Sequence, residues 1–393
     1  MKKFLTLMLA ALMAFCLFGC SNGGGEETST EENYDLVFLA DLGTIYDGGF
    51  NEYSFYGVKD FAEEKGLSYS WLMPAGDDDA SRVTIFEQAV NQMKAKVIVA
   101  VGYKWDAALL TELPQYPDVK VVFADADNLY NIDADYDGVD DSIEHQDNLT
   151  MITFAEQECA WLAGYLVVKE GFRNLGFFGG MAVPAVIRFG YGFIEGAEAA
   201  AKELGLEKGA VKCNYYYTGA FEETPENVTF VSNWYTAGTE VVFSCGGVIV
   251  NNVISAAKDG ENRWIVGVDC DEYYSRAVEG EECVPQIITS AMKDMEGTIY
   301  TAVKAAWEDG DAWKTYTDNC TKDGIIVADS ATGGATVAPY RAENWKNVTE
   351  EDFNNARLLL SEIRSTLSTD ADGVNGAPIE GKYEYVDVTY FAQ

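Results

Sequence analysis

The sequence DLGTIYDGGFNEYSFYGVKDFAEEKG (41–66) sets the architecture of this 393-residue chain. It overlaps a short apolar run typical of a β-strand, VFLADL (37–42), and its glycines leave the backbone free to approach a ligand closely. From Asn51 to Gly66, apolar or aromatic side chains recur every three or four residues, which predicts an amphipathic helix of about four turns. A strand, a glycine turn and a helix in this order predict the first unit of an α/β fold.

The turn places an aromatic ring and an amide, Phe50 and Asn51, at the carboxyl end of the strand. Open α/β sheets bind their ligands at that edge. A structural interpretation is also available, in which Phe50 is a hydrophobic staple and Asn51 caps the helix. Taken alone, the turn favours the structural interpretation.

Strand-like and helix-like segments alternate along the rest of the chain. One series ends near residue 125, and a second runs over residues 150–270. Such alternation predicts right-handed βαβ units and parallel sheets. The segments that follow are a strand at 287–290, a helix at 291–310, a helix at 349–367 and a strand at 383–391. The sequence therefore predicts two α/β lobes joined by three crossings, with a cleft between them.

Four segments, in order, carry a family resemblance. They are D-x-G-x-x-x-D-x-x-F-N (41–51), EQECAWLAGYLVV (156–168), GFFGGMAVPAVIRFGYGFIEGA (176–197), and GVDCDE (267–272) followed by ITSAMKD (288–294). They resemble the signatures of the basic membrane protein family, lipoproteins that serve as substrate-binding components of ATP-binding-cassette importers, several of them for nucleosides. The resemblance covers residues 36–310.

The resemblance implies a type I periplasmic-binding-protein fold, with two Rossmann-like lobes, parallel sheets and a three-strand hinge. The expected N-terminal lobe comprises residues 34–153 and 289–315, and the expected C-terminal lobe comprises 154–288 and 316–393.

The chain departs from the family pattern at three places. Gly48 and Gly49 stand where members often have Lys-Ser or Arg-Ser before Phe-Asn, and Cys270 and Asp271 stand where members often have Asp-Gln. The loop after Asp125 is unusually long. These departures bear on the ligand more than on the fold.

The amino terminus predicts an exported lipoprotein. Lys2 and Lys3 precede an apolar segment, FLTLMLAALMAFCLF (4–18), which has signal-peptide length and is short for a membrane span. Leu-Phe-Gly-Cys then resembles a lipobox, which implies lipidation of Cys20 with a palmitate-type anchor. We expect a signal peptide at 1–19, a flexible tether at 20–33 and an extracytoplasmic protein held to the cell membrane by lipid alone.

Composition narrows the function classes. A formal charge of −37 repels phosphates, which argues against nucleic acid and against nucleotides as ligands. A hydrophobic content of 48% in a chain of this length supports two cores. The cysteines beyond Cys20 show no CxxC pair and no zinc-like spacing, so no zinc is expected and disulfides remain open.

Candidate ligand residues follow from the rule that ligands bind at the carboxyl ends of strands. Carboxylates suit sugar or ribose hydroxyls, because one charged acceptor takes two hydrogen bonds. Aromatic rings suit the flat face of a base. This mixture describes a nucleoside. The candidates are Asp41, Phe50, Asn51, Tyr103–Trp105, Asp125, Gly179, Gly180, Gly246, Gly247 and Asp269.

The resemblance implies a role for several of these residues. Phe50 and Phe189 would hold the base between them from opposite lobes, and Asn51 and Asp125 would read its edge. Asp269 and Lys293 would hold the ribose. The alternatives are core packing for the aromatic residues, and a helix cap or a solvated loop for Asp125 and Asp269.

Catalytic motifs are not evident. The single histidine, His145, lies in an acidic loop, and no GxSxG, HExxH or P-loop pattern occurs. We therefore expect a non-enzyme that captures a nucleoside, with purine nucleosides first, docks on ABC permease subunits and acts as a monomer. The alternatives are a sugar-binding importer component, or a ligand-sensing or interaction lipoprotein with the same fold.

The acidic loop after Asp125 fits the spacing of a calcium-binding loop. Oxygen ligands fall at the expected positions and a glycine stands at position 6, where the sharp turn needs it. The predicted calcium ligands are Asp133, Asp135, Asp137, Val139, Asp141 and Glu144. The alternative is a solvated acidic insertion, and a bound ion would be structural.

Overall fold

The computed structural model describes residues 33–126, 128–132, 139–258, 260–320, 324–369, 376–378 and 381–392. The predicted signal peptide and Cys20 lie outside these residues. Across the described ranges, no helix combines the length and apolar character that a membrane crossing needs.

Strands and helices alternate along most of the described chain, as the sequence predicts. The strands are β1 (Leu36–Leu39), β2 (Tyr69–Leu72), β3 (Val97–Val101), β4 (Lys120–Ala124), β5 (Leu149–Phe154), β6 (Asn174–Gly179), β7 (Val211–Tyr217), β8 (Val241–Cys245), β9 (Trp264–Asp269), β10 (Ile287–Lys293), β11 (Ile325–Ala328), β12 (Ala335–Val337) and β13 (Val386–Phe391). The helices are α1 (Phe50–Lys65), α2 (Asp79–Glu87), α3 (Asp106–Glu112), α4 (Glu156–Glu170), α5 (Pro184–Glu203), α6 (Pro225–Thr236), α7 (Val250–Lys258), α8 (Glu272–Ser275), α9 (Met295–Glu308), α10 (Gly310–Thr317) and α11 (Glu350–Ile363).

These strands form two sheets. The first has the order β11-β5-β4-β3-β1-β2 and is parallel throughout. The second has the order β12-β10-β9-β8-β6-β7-β13, and in it only the pairing of β12 with β10 is antiparallel. Strands β1 and β3 are buried along their whole length, as expected for parallel sheets covered on both faces. Each sheet forms the centre of one lobe.

Strand register aligns the residues that follow each strand. In the first sheet, Leu39 lies opposite Ala100, so the loops after β1 and β3 leave the sheet at the same edge. In the second sheet, Val268 lies opposite Ala291. The last residues of β9 and β10 therefore become neighbours, which brings Asp269 beside the end of β10.

The chain passes between the two sheets three times, at Ala155, at Asp294 and over residues 329–334. The crossings are hydrogen-bonded to adjoining segments: Ala155 N–H donates to Ala328 O over 3.1 Å, and Asp294 N–H donates to Gly334 O over 3.0 Å. Together they form the three-strand hinge that the fold class implies.

The predicted lobe boundaries differ from the observed ones at two places. Strand β10 runs on to Lys293 inside the second sheet, so residues 289–293 belong to the second lobe, and the helix predicted from residue 291 begins at Met295. The cause is Asp294, whose side chain accepts the N–H of Gly297 over 3.0 Å and caps α9. Strand β11, expected in the C-terminal lobe, adds to the edge of the first sheet.

Helices bury the faces of both sheets. Helices α1 and α9 pack over one face of the first sheet, where Phe61 and Ile299 belong to the same apolar cluster. Helix α3 covers the other face with Leu109. On the second sheet, α4 and α5 form a cluster that includes Trp161 and Phe193. Each large apolar side chain buried in this way contributes about 1.5–3 kcal/mol to stability.

Candidate functional site

The loop that precedes α1 is held together by Asp47. Its carboxylate accepts the N–H groups of Gly49 over 2.8 Å, Asn51 over 3.0 Å and Glu52 over 3.2 Å. Asp47 therefore satisfies the free amides at the start of the helix, a role that the structural interpretation had assigned to Asn51. This arrangement fixes Phe50 at the first position of α1.

Asn51 is buried and engaged at both ends of its side chain. Its Oδ1 accepts the N–H of Asp41 over 3.0 Å, and its Nδ2 donates to Asp47 Oδ2 over 3.2 Å. An amide has two hydrogens and two lone pairs, so one of each is left over. Asn51 thus ties the end of β1 to the start of α1.

An ammonium group stands where the carboxyl ends of the two sheets meet. Lys293, at the end of β10, is only 5% exposed. Its Nζ lies 3.0 Å from Asp125 Oδ1, 3.5 Å from Glu156 Oε1 and 3.5 Å from Asp269 Oδ1. Asp125 follows β4 in the first lobe, whereas Asp269 ends β9 in the second. The structure therefore brings together three residues that were singled out separately in the sequence, and adds Glu156.

Three aromatic rings surround the same ammonium. The Nζ of Lys293 lies 5.2 Å from the ring centre of Phe50, 5.5 Å from that of Phe154 and 5.6 Å from that of Phe189. Phe50 belongs to the first lobe and Phe189, on α5, to the second. Phe189 is only 2% exposed and also packs edge-on against Phe243, with centres 5.8 Å apart. It faces the centre of the cleft and contributes to the core at the same time.

Burial and charge act on this cluster in opposite directions. Burial disfavours the charged form of Lys293, but Asp125, Asp269 and Glu156 outweigh it and raise the pKa of the ammonium. Burial raises the pKa of Asp269 to about 6, against the opposing effect of Lys293, and the charges of Asp125 and Glu156 raise it further. Apart from its long contact of 3.5 Å with Lys293 Nζ, Asp269 Oδ1 accepts no hydrogen bond from the described residues. This oxygen is a buried acceptor suited to a hydroxyl donor.

The backbone at the two aspartates is left-handed. Asp125 has φ 58° and Asp269 has φ 64°. Residues other than glycine adopt this conformation at a cost of about 1–2 kcal/mol, and aspartate tolerates it better than most. Strained backbone of this kind concentrates at functional sites. The strain here directs two carboxylates from different lobes toward one ammonium.

Asp41 forms a second polar group at the end of β1. Burial raises its pKa to about 6, while the N–H of Leu42, 2.8 Å from Oδ1, and the cations Arg82 and Lys104 oppose that rise. Arg82 Nη2 lies 3.9 Å away. A Cβ at Gly102 would lie 2.8 Å from Asp41 Oδ2, so the carboxylate fits because the neighbouring loop carries glycine there. Sequence inspection did not identify Arg82.

Trp105 does not face the cleft. It is fully buried in the layer between the first sheet and α3, and its Nε1 donates to Ala40 O over 3.3 Å. The prediction from its position after β3 was therefore wrong, because a short 3-10 turn, Tyr103–Trp105, rotates the ring into the core.

Gly246 lies at the end of β8 with φ 144°, and the ring of Phe221 rests against it. A Cβ at Gly246 would lie 2.8 Å from that ring. Phe221 also contacts Gly180, which follows β6. Phe221 was not predicted, because it lies in a loop four residues beyond β7 and belongs to no motif.

Glu156, Phe154 and Arg188 were also missed. Glu156 is fully buried, and Arg188 donates from Nε to its Oε2 over 2.6 Å. Phe154 and Glu156 flank the first crossing, so the strand-end rule applied to β5 would have found them. They had instead been assigned to an apolar strand and to the body of a family motif.

The first half of the predicted calcium loop, Asp133, Asp135 and Asp137, lies outside the described residues. Of the second half, Asp141 N–H donates to Ile132 O over 2.9 Å. This contact joins position 9 of the predicted loop to the residue that precedes position 1. Among the described residues alone, no group of three acidic, histidine or cysteine side chains is close enough to hold a metal.

The six cysteines of the described residues are all free thiols. They are Cys159, Cys213, Cys245, Cys270, Cys283 and Cys320.

Comparison with known proteins adds family information to this geometry. Residues 35–356 match the family model described as ABC transporter substrate-binding protein PnrA-like. The chain is 26% identical over 358 residues to the ABC transporter nucleoside-binding protein BmpA of Lactococcus lactis, an alignment that covers 87% of this chain and 90% of that protein. It is 28% identical over 298 residues to basic membrane protein A1 of Borrelia garinii, covering 75% and 77% of the two chains.

Among solved structures, the chain is similar to an ABC transporter solute-binding protein from Aeropyrum pernix. The TM-score is 0.62 with 22% identity, over 85% of this chain and 87% of that one. This likeness shows the fold, which is that of the type I periplasmic binding proteins.

Proposed function

Because this chain belongs to the family of PnrA-like ABC transporter substrate-binding proteins, we propose that it captures a nucleoside, purine nucleosides first, in the cleft between its lobes. A substrate-binding protein of this type delivers a small molecule to a membrane transporter. The nucleoside is the finer part of the proposal, and a relative named for nucleoside binding supports it.

The observation that carries the proposal is the convergence of two rings and the Asp269 carboxylate on one ammonium. Phe50 and Phe189 reach the Lys293 Nζ from opposite lobes, at 5.2 Å and 5.6 Å. Asp269 Oδ1 lies 3.5 Å from that ammonium and accepts no other hydrogen bond among the described residues. A base offers a flat face to the rings, and a ribose offers hydroxyl donors to the carboxylate and oxygen acceptors to the ammonium.

The charge around the site supports a nucleoside over a nucleotide. Asp125, Glu156 and Asp269 all lie within 3.5 Å of the single ammonium of Lys293. A phosphate placed here would face three carboxylates in a buried setting. Like charges in such a site repel strongly, because the local dielectric is low.

We further propose that the protein is a monomer, anchored by lipid at Cys20 on the extracytoplasmic face of the cell membrane. There it docks on ABC permease subunits once its lobes hold a ligand. Relatives named as lipoproteins support the anchor. The proposal includes no catalytic step, and the only metal in it is a structural calcium ion in the loop over residues 133–144.

Isothermal titration calorimetry against purine and pyrimidine nucleosides, ribose, galactose and a nucleoside monophosphate tests the ligand class. We expect nucleosides to bind and the monophosphate to bind far more weakly. Phe50→Ala and Phe189→Ala should each weaken nucleoside binding by about 1–3 kcal/mol, because each removes a stacking surface. Phe172→Ala is the matched control, since its half-buried ring packs near Trp264 instead. Binding of galactose or ribose without any nucleoside binding would overturn the proposal in favour of a sugar carrier.

A further inference from the structure

A second set of contacts joins the lobes, away from Lys293. Arg276 follows α8 in the second lobe, and its Nη1 donates to the backbone carbonyl of Asp47 in the first lobe over 2.7 Å. Cys270 Sγ lies 3.4 Å from the carbonyl oxygen of Gly48. These contacts reach the loop that places Phe50 and Asn51.

Arg276 is anchored inside its own lobe by Glu272. The guanidinium donates from Nε to Glu272 Oε1 over 3.1 Å, and the other carboxylate oxygen of Glu272 accepts the N–H of Val268 over 3.0 Å. Val268 immediately precedes Asp269. The chain of contacts therefore begins beside the carboxylate proposed to hold the ribose.

In the first lobe, this series of contacts ends at Asp47, whose carboxylate accepts the N–H groups of Gly49, Asn51 and Glu52. A displacement of Asp47 therefore displaces the start of α1, and Phe50 with it.

Two glycines make room for the guanidinium. A Cβ at Gly49 would lie 2.9 Å from Arg276 Nη2, and one at Gly48 would lie 3.3 Å from Ser275 O. Gly48 also has φ 64°, a conformation in which other residues are strained. The glycine pair, which departs from the family pattern, is thus the surface against which Arg276 packs.

We propose that Arg276 is a positioning residue that couples closure of the lobes to the placement of Phe50. Together, Glu272, Arg276 and Asp47 form an interlobe bridge. The bridge rests on the proposed function, because it joins the two sides of the same ligand site. The bridge forms whenever the lobes come together, briefly in the ligand-free protein and for longer once a ligand is held, so it slows ligand release and has little effect on ligand entry.

Stopped-flow and calorimetric binding of the best nucleoside to the full chain test the bridge. Arg276→Ala should raise the dissociation rate on the order of tenfold, with the association rate unchanged. Arg341→Ala is the matched control: both arginine side chains are 9% exposed, but the partners of Arg341, namely Asp271, Tyr273 and Tyr274, lie in its own lobe. An equal change in both variants would overturn the proposal.

Arg276→Ala also leaves the buried Glu272 without its cationic partner. A second variant therefore tests the bridge while keeping that ion pair. Gly49→Ala keeps both Glu272 and Arg276, but its methyl group would displace the guanidinium from its position beside Gly49. It should raise the dissociation rate several-fold in the wild-type background. It should have little effect in Arg276→Ala, because the guanidinium that the new methyl group would displace is then absent. Additive effects of the two changes would overturn the proposal.

Hydrogen exchange of the ligand-free protein separates the bridge from the ligand proposal. The amides of Gly49, Asn51 and Glu52 should exchange at least several-fold faster in Arg276→Ala than in wild type or in Arg341→Ala. This result is expected even if no nucleoside binds, in which case the proposed ligand class fails and the bridge stands. Unchanged exchange at these amides would overturn the bridge.

Discussion

The two sheets end in the same cleft, but their carboxylates are satisfied differently. At the first sheet, Asp41 accepts the N–H of Leu42, and Asp47 accepts three backbone N–H groups. At the second sheet, Asp269 Oδ1 accepts no hydrogen bond from the described residues and lies 3.5 Å from Lys293 Nζ. The carboxylates at the first-lobe edge therefore stabilise the local backbone, whereas the carboxylate at the second-lobe edge retains hydrogen-bonding capacity for a ligand.

The largest expected effect of this difference is on stability. Lys293→Met leaves Asp125, Glu156 and Asp269 around a position without charge, and breaking a buried ion pair costs about 3–5 kcal/mol. Lys104→Met is the matched change at the first-lobe edge. The side chain of Lys104 is 20% exposed and pairs with the more exposed Asp77, so we expect its loss to cost about 0–1 kcal/mol.

Urea unfolding of the two methionine variants beside wild type measures both free energies. Similar losses in the two variants would contradict the comparison, because they would mean that the two edges bury charge equally.

The next effect is on ligand affinity. Asp269→Ala should weaken nucleoside binding by about 1–3 kcal/mol, because a ligand hydroxyl loses its acceptor in a buried site. Asp41→Ala should weaken it less, because Asp41 already accepts a backbone N–H and lies near Arg82. Calorimetry on both variants gives the ranking. If Asp269→Ala binds as tightly as wild type, Asp269 is not in the ligand site.

Protonation of Asp269 provides a second measure of the same contact. Its pKa is raised from 3.8 to about 6, so the folded protein takes up this proton before the unfolded chain does as the pH falls. The contribution of Asp269 to folding stability is therefore fully present below about pH 4 and is lost as the pH rises through about 6. Ligand affinity should change in the opposite direction and fall below about pH 6, because a hydroxyl donates best to the ionised carboxylate.

Asp269→Asn isolates this group from the other acids of the chain. The difference in unfolding free energy between wild type and Asp269→Asn should vary between about pH 4 and 6, and the variant should bind its ligand with a flatter pH dependence. Parallel pH profiles of the two proteins would show that another group titrates.

The fold was predicted from the sequence more completely than the site was. The alternation of apolar runs fixed the order of most elements, since each run is a buried parallel strand. It missed β11 and β12, which are only four and three residues long. Length alone is not the cause, since β1 and β2 are also four residues long and were predicted. Strand β12 follows β11 without a helix between them, so the pair falls outside the strand–helix alternation, and its pairing is set by the hinge that it flanks.

At the site, the strand-end rule located positions but not side-chain directions. Asp125 and Asp269 face the cleft because their backbone is left-handed, which sequence does not show. Trp105 obeys the same rule and is buried, because a short turn rotates it. Lys293 was found by family resemblance although its predicted helix is a strand. Arg276 belongs to no pattern, and its partner across the lobes, Asp47, is distant in sequence.

The smallest expected effect concerns the acidic loop that follows Asp125 in the first lobe. We propose that a calcium ion held by residues 133–144 stabilises this loop and, through it, the first-lobe side of the Lys293 cluster. Hydrogen bonds from Asp141 N–H to Ile132 O, 2.9 Å, and from Ile143 N–H to Leu129 O, 3.0 Å, already close the base of the loop. Because these protein hydrogen bonds already contribute to holding the loop, the further gain expected from an ion is small.

With a dissociation constant on the order of 1 mM, typical of weak extracellular sites, about 5 mM calcium adds about 1 kcal/mol of stability. The melting temperature should then rise by about 2 °C between excess chelator and about 5 mM calcium, and the rise should depend on calcium concentration. Glu144→Gln removes the bidentate ligand at position 12 and should abolish the rise, whereas Glu261→Gln, in a different loop, should retain it. Magnesium at the same concentration controls for general screening of the −37 charge. A melting temperature that calcium leaves unchanged in wild type, or raises equally in Glu144→Gln, would mean that the loop is a solvated acidic insertion and that the first-lobe edge is held by Asp47 and Asn51 without an ion.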